Sequence, residues 1–274
     1  MPRTLKLTIA YDGSNYAGWQ RQINGLAIQQ VLEEEIAAIT GAHRPLNAAG
    51  RTDSGVHAAA QVASITIDHP IACDELLRAL NARLKAGDIR IRAIDEMPDR
   101  WDARIFAKSK TYRYALWNGA IPSPFWRHVV WHVPQPLDLD RMARATAALI
   151  GEHDFAAFRG RGSDVKTTVR RVLEADITEM NIHTDQPIAL SPLDPSTSLG
   201  AGGMPDHGGR LLRFEITGTG FLRHMVRTIV GTLVDIGRGQ LEVEQMAAIV
   251  ASADRRQAGQ TAPPHGLMLW KVTY

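Results

Sequence analysis

The hydrophobic pattern changes period several times along the chain. Leu5, Leu7, Ile9 and Tyr11 alternate with Lys6, Thr8 and Ala10, the period of two expected of a half-buried strand. Ile28, Val31, Leu32, Ile36 and Ile39 then recur at helical spacing, and Gly41 follows as a stop signal. Residues 46–51 and 59–67 read as two further strands. Leu76, Leu77, Leu80 and Leu84 line one side of a second helix near 73–85. A strand follows at 89–94, where Ile89 and Ile91 alternate with Arg90 and Arg92. The resulting order, β-α-β-β-α-β, is the ferredoxin-like plan.

The second half repeats that order in pattern and not in letters. A strand covers 110–117, and a helix near 138–150 starts at Asp138 and directs Leu139, Met142 and Leu149 inward. Strands at 171–178 (Leu173, Ala175 and Ile177 inward) and 211–217 (Leu212, Phe214 and Ile216 inward) come next. Helices at 224–236 and about 242–253 precede a final strand, GLMLWKVTY. The expected fold class is α/β (α+β): two ferredoxin-like halves, 1–105 and 106–274, with antiparallel-rich sheets flanking a basic cleft. Residues 184–209, rich in Pro, Gly, Ser and Asp, interrupt the second half and read as a long, mobile surface loop.

Composition narrows the class. A length of 274 residues suits two domains, and 45% hydrophobic with 22% charged residues is the balance of a globular protein. The apolar runs are too short and too often broken by charge or glycine to span a bilayer. The N-terminus enters strand alternation at once and has no apolar signal region. The single cysteine, Cys73, cannot form an intrachain disulfide, and no Cys/His spacing suits zinc. A cytoplasmic, metal-free protein is expected. The net charge of +2 is small but unevenly spread. Residues 159–171 carry Arg159, Arg161, Lys166, Arg170 and Arg171 against Asp164, and residues 100–113 carry Arg100, Arg104, Lys108, Lys110 and Arg113 against Asp102. Two such runs suggest a polyanionic partner, with a solvated face as the plain alternative.

The candidate chemistry begins at GRTDSGVHA, residues 50–58. Asp before Ser-Gly is a common turn former, which is the structural account of Asp53. Ser54 lacks the glycine two residues before it that a nucleophile elbow needs, since Thr52 stands there. His57 can serve as a base, but a lone histidine is more often packed or capping. A metal site needs more carboxylates than the one found in 46–60. What remains is an aspartate beside Arg51, kept ionised by cations and competent as a nucleophile at an electrophilic sugar carbon. A second segment is GFLRHMVRTIVGTL, residues 220–233. Phe221, Leu222, Met225, Val226, Ile229, Val230 and Leu233 make it strongly apolar, so Arg227 is expected to be at least partly buried and to seek a carboxylate. That partner is either a structural one or Asp53. The third is KTYRY, where Tyr112 and Tyr114 share a strand face and Arg113 takes the other. Tyr114 reads as core. Tyr112 reads either as core or, if it faces a cation-lined cleft, as a platform for a base.

These pieces resemble the tRNA pseudouridine synthase A family. The similarity runs nearly end to end: YDGSNYAGWQRQ at 11–22, AGRTDSGVHA at 49–58, NARL at 81–84, KTYRY at 110–114, HDFAAFR at 153–159, GFLRHMVRTIVGTL at 220–233 and APPHGLMLWKV at 262–272. AGRTDSGVHA and FLRHMVR are the most specific. The resemblance implies isomerisation of uridine to pseudouridine in the anticodon stem-loop of tRNA, at positions 38–40, by a homodimer needing no cofactor or metal. It implies that Asp53 is the catalytic aspartate, that Tyr112 stacks on the target uracil, that Arg227 pairs with the aspartate and that Arg51 fills the space left by the flipped nucleotide. Leu222 goes with the substrate-binding group, and Arg159, Lys110, Arg170 and Arg223 with the RNA-binding one. Thr228 stands where asparagine is as readily expected.

Two other classes compete. A non-catalytic tRNA-binding module or chaperone accounts for the basic runs, but a carboxylate at Asp53 repels phosphate and does nothing for a passive binder. A small-substrate hydrolase using Asp53 and His57 leaves the basic runs and Tyr112 without a purpose.

Overall fold

The computed structural model describes residues 1–160, 162, 165–180 and 209–274. In chain order its elements are β1 (Arg3–Tyr11), α1 (Ile28–Thr40), β2 (Asn47–Ala48), β3 (His57–Ile67), α2 (Cys73–Arg83), β4 (Ile89–Met97), β5 (Ser109–Asn118), β6 (Trp131–Val133), α3 (Leu139–Thr146), β7 (Gly151–Asp154), β8 (Val169–Met180), β9 (Arg210–Gly218), α4 (Met225–Gly237), α5 (Gln245–Ser252) and β10 (Leu267–Thr273). The protein is thus mixed α/β with mostly antiparallel strands. The loop expected at 184–209 falls, except for Gly209, outside the described residues, as do Arg161 and Asp164 of the basic run. No described helix is long and apolar enough to cross a membrane.

Two compact units divide the chain: Met1–Thr111 with Met268–Tyr274, and Tyr112–Leu267. In the first, β1 lies between β3 and β4 and pairs antiparallel with both, while β2 pairs antiparallel with β3 over two residues. The alternation along β1 sends Leu5, Leu7 and Ile9 into the core, where each is fully buried. Burial of side chains of this size stabilises by about 1.5–3 kcal/mol apiece relative to exposure. Ile28, Leu32 and Ile36 of α1 and Leu76 and Leu80 of α2 complete that core. Gly41 closes α1 in the left-handed region at φ 74°, as its position after the last turn suggests. The C-terminal strand groups with the first unit, whereas periodicity places it at the end of the second half. Its partner there is β3, with Met268 opposite His57 and Leu269 opposite Ala58 in parallel register.

In the second unit the strand order is β5-β9-β8-β7, with β6 parallel to β5. Leu212, Phe214 and Ile216 of β9 point inward as expected. On β8 the inward set is Val172, Ala175, Ile177 and Met180, and Leu173 is exposed. A register shift between Val172 and Glu174 explains the difference, because one extra residue flips the alternation on one side of it. Asp138 caps α3, its carboxylate accepting from the Arg141 N–H. Helix α4 is buried almost all round, which makes it the centre of this unit.

Candidate active site

In the first unit the segment that follows β1 lies beneath the turn that carries Asp53. The turn is closed by a main-chain bond from Val56 N to Asp53 O at 3.2 Å, with Gly55 at φ 76°. Thr52 is fixed twice: its Oγ1 meets the Tyr11 hydroxyl at 2.8 Å, and its carbonyl accepts from Trp19 N at 3.1 Å. Ser54 Oγ and Gly55 N both donate to the Tyr16 carbonyl, at 3.1 and 3.4 Å. Gly50 is held by Gln61, whose Nε2 donates to its carbonyl at 2.8 Å. Gly18, at φ 95°, allows a close approach: a Cβ there would lie 2.6 Å from the Thr52 carbonyl oxygen. A Cβ on Gly13 would run into the Val56 carbonyl.

The side chains of this turn differ in exposure. Arg51 is exposed, Thr52 is buried and Asp53 is half-buried. His57 is 2% exposed, with Nδ1 3.1 Å from Gly13 N and 3.1 Å from Asp12 Oδ1. Its ring faces inward toward this segment, which disfavours the hydrolase reading that needs it as a base. The hydrogen bond with His57 holds the Asp12 carboxyl well below the usual carboxylate range, assisted by the bond from Ser14 N. Burial pushes the Tyr11 hydroxyl up to about 12, keeping it protonated and able to donate. The Lys110 stem packs against Gly50, beside Arg51. Burial, with Arg104 adding, lowers the Lys110 ammonium from its ordinary value.

The second unit gathers another set. Tyr112, 7% exposed, meets Phe221 edge to face at 5.2 Å between ring centres. Leu222 is buried beside it in sequence, and Arg223 is exposed. The Arg223 carbonyl accepts from Gly160 N at 2.8 Å, and a Cβ on Gly160 would lie 2.6 Å from His224 Nδ1. Residues 159–160 and 223–224 are therefore neighbours despite their separation in sequence. Arg170 Nη1 donates to the carbonyls of Thr167 and Val169, at 2.9 and 2.6 Å. Its side chain also passes Gly220, where a Cβ would lie 3.6 Å from Arg170 Cδ. Arg227 is half-buried, as its apolar flanks suggest, and its Nε donates to the Ala262 carbonyl at 2.8 Å. Tyr114 is fully buried with its hydroxyl on the Pro263 carbonyl at 2.8 Å, the core role expected of it. Burial raises that hydroxyl well above its ordinary value, with the Arg227 charge opposing. Thr228 is buried, its hydroxyl 3.3 Å from that of Thr261.

The expected residues thus fall into two groups. Arg51, Asp53 and Lys110 belong to the first unit, and Tyr112, Arg159, Arg170, Leu222, Arg223 and Arg227 to the second. The residues that mount the aspartate turn, Tyr11, Gly13, Tyr16, Gly18 and Gln61, carried no role in the sequence-based expectations. The signal for them was the pair of glycines in YDGSNYAGW, which lie in a segment with no strand or helix period. Among the described residues, no group of three or more His, Cys, Asp or Glu side chains is placed to hold a metal.

Known proteins share this pattern across the whole chain. A family described as tRNA pseudouridine synthase matches residues 7–104 and 145–274. The chain is 41% identical over 272 residues to tRNA pseudouridine synthase A of Pelobacter propionicus, covering 99% of this chain and all of that one. It is 39% identical to the enzyme of the same name from Acetivibrio thermocellus, over 99% of this chain and all of the relative. Against that of Moorella thermoacetica it is 40% identical, over 98% and 99%. Matched by that family model over most of its length and by relatives near 40% identity over nearly all of it, the chain belongs to the tRNA pseudouridine synthase A family and is a tRNA-modifying isomerase.

Proposed function

We propose that the protein converts uridine to pseudouridine at positions 38–40 of the anticodon stem-loop, with Asp53 as the nucleophile acting on a flipped-out nucleotide. The observation that carries this reading is the mounting of Asp53. A half-buried carboxylate sits on a turn tied through the main chain at Gly50, Thr52 and Gly55 and through the side-chain hydroxyls of Thr52 and Ser54, while Arg51 beside it is exposed. A turn serving only to reverse the chain needs no such fixation, whereas a nucleophile gains from a fixed approach to the reacting carbon.

The target base must leave its stack, at a cost of a few kcal/mol. Arg51 offsets part of that cost by occupying the vacated space. Tyr112, steadied by Phe221, stacks on the uracil, an interaction worth about 1–3 kcal/mol. Asp53 attacks the ribose C1′ or assists loss of the base through a glycal, or attacks uracil C6, with Arg227 as the basic residue of the site. In each case the C1′–N1 bond breaks and a C1′–C5 bond forms. A proton leaves C5 and N1 regains one, so atoms and electrons balance without a redox partner. Leu222 lines the base site, while Lys110, Arg159, Arg170 and Arg223 take phosphates. The β4-β1-β3-β2 order of the first unit supports the ferredoxin-like plan as the frame. The enzyme works as a homodimer with one tRNA meeting both copies.

The test is nucleotide-resolution mapping of pseudouridine in tRNA transcripts bearing uridine at 38, 39 or 40 singly. Modification confined to these positions, and lost in Asp53→Asn, is expected. Modification elsewhere in the tRNA would remove the anticodon-arm assignment.

A further inference from the structure

His57 is the last residue of the aspartate turn and the first of β3, and its buried imidazole is tied to the segment after β1 in either neutral tautomer. With Nδ1 bare, it accepts the Gly13 N–H at 3.1 Å. With Nδ1 protonated, it donates to Asp12 Oδ1, also at 3.1 Å. Asp12 is itself oriented, because its Oδ1 accepts from Ser14 N at 2.9 Å and its own N–H donates to the Asp88 carbonyl at 2.8 Å. Asp88 in turn accepts from the Tyr16 hydroxyl at 2.8 Å, and the Tyr16 carbonyl is the acceptor for Ser54 and Gly55. A closed circuit of bonds therefore runs from His57 through residues 12–16 back to the two residues that follow Asp53.

We propose that His57 is a positioning residue for Asp53, fixing the segment 12–18 beneath the turn so that the carboxylate keeps one approach to the reacting sugar. The proposal rests on Asp53 being the catalytic carboxylate. His57 does not touch the substrate: at 2% exposure its ring contacts this protein and not RNA. Its effect is transmitted by main-chain contact. Gly13 rests on the Val56 carbonyl, and Gly18 on Thr52, Asp53 and Ser54, where side chains would not fit. Loosening the segment at Gly13 therefore moves the surface against which the aspartate turn is seated. Displacement of a reacting group by about 1 Å lowers rates on the order of a hundredfold.

The test compares two amide replacements in the full-length protein. The asparagine amide reaches the place of Nδ1, where its oxygen can accept from Gly13 N or its nitrogen can donate to Asp12 Oδ1. The glutamine amide reaches toward Nε2 and leaves both Gly13 N and Asp12 Oδ1 without that partner. His57→Gln is expected to lower kcat for pseudouridine formation by about a hundredfold with KM for tRNA within about twofold. His57→Asn is expected to recover at least about tenfold of that loss, with both variants folded by thermal melt. Equal kcat in the two variants would overturn the proposal, as would a loss confined to KM, which would make His57 part of RNA binding. Because the amides differ by one methylene, failure of His57→Gln alone to fold would show a purely structural role and would also overturn it. Asp53→Asn is measured alongside. If it is inactive while the two His57 variants are equal, the positioning role fails alone; if it turns over normally, the catalytic reading falls and the positioning role with it.

Discussion

The hydroxyls of Tyr11 and Thr52 meet at 2.8 Å in a buried hydrogen bond, one residue before Asp53. It joins the end of β1 to the aspartate turn across 41 residues of sequence. Tyr11→Phe removes one partner and leaves the Thr52 hydroxyl buried. A loss of about 1 kcal/mol is expected, because an unmet buried hydroxyl keeps its desolvation cost. Thermal unfolding checks the size, and a Thr52→Val combination should destabilise by less than the two single changes together.

Gly18 and Gly41 make a controlled pair. Both have positive φ, 95° and 74°, but nothing lies within 4 Å of a Cβ on Gly41, whereas the Thr52 carbonyl lies 2.6 Å from one on Gly18. Gly41→Ala should cost about 1–2 kcal/mol of stability through backbone strain alone and leave kcat unchanged. Gly18→Ala should cost more and also lower kcat, because the clash falls on the turn of Asp53. Melting curves and steady-state rates on the two variants separate strain from displacement.

On the proposed reading, Tyr112 acts through its ring. Tyr112→Phe keeps the edge contact with Phe221 and should bind tRNA as the parent does. Tyr112→Ala should weaken binding of a substrate-analogue tRNA by about 1–3 kcal/mol, the worth of one base–aromatic stack. Filter binding distinguishes the two, and collapse in Tyr112→Phe would assign the role to the hydroxyl.

Arg159 and Arg170 should pair with phosphates. Changing both to glutamine is expected to weaken tRNA binding and to reduce the slope of log K against log salt by about 0.7–0.9 for each phosphate left unneutralised. Titrations at several salt concentrations measure that slope, and an unchanged value would take these residues out of the footprint.

Asp12 links stability to pH. Its carboxyl is lowered below the usual range, first by the bond with His57, so the folded state favours the charged form more than the unfolded chain does. The stabilisation is present above about pH 4 and is lost as pH falls through the lowered folded value. Asp12→Asn should therefore melt earlier than the wild type at pH 7, and the gap should close on acidification below about pH 4. A gap that stays constant to pH 3 would show that charge is not its source.

The elements themselves were legible wherever one face is buried, since burial is what imposes a period. β1, α1, α2 and β9 lie within a few residues of where Leu5–Ile9, Ile28–Ile36, Leu76–Leu80 and Leu212–Ile216 place them. The short strands β6 and β7 went unread because three or four residues do not establish a period. Leu173 faces out because of a register shift, which depends on how β8 meets β9 and not on either strand alone. The grouping of β10 with the first unit is a pairing across some two hundred residues, and periodicity holds no information about partners. At the site, Asp53 stood out as an acidic residue among cations. Its mounting did not, because Tyr11 and Tyr16 look like ordinary aromatic positions until the main-chain bonds of the turn are known.

The central claim is that Asp53 drives the isomerisation, and release of the C5 proton measures it most directly. The purified protein and Asp53→Asn are incubated with EDTA and with tRNA tritiated at C5 of uridine. Tritium should pass to water with the wild type and stay at background with the variant, which keeps the shape of the side chain and loses its charge. Release by Asp53→Asn at a rate near that of the wild type would contradict the account, leaving the turn at 50–57 as a structural feature and the nucleophile elsewhere.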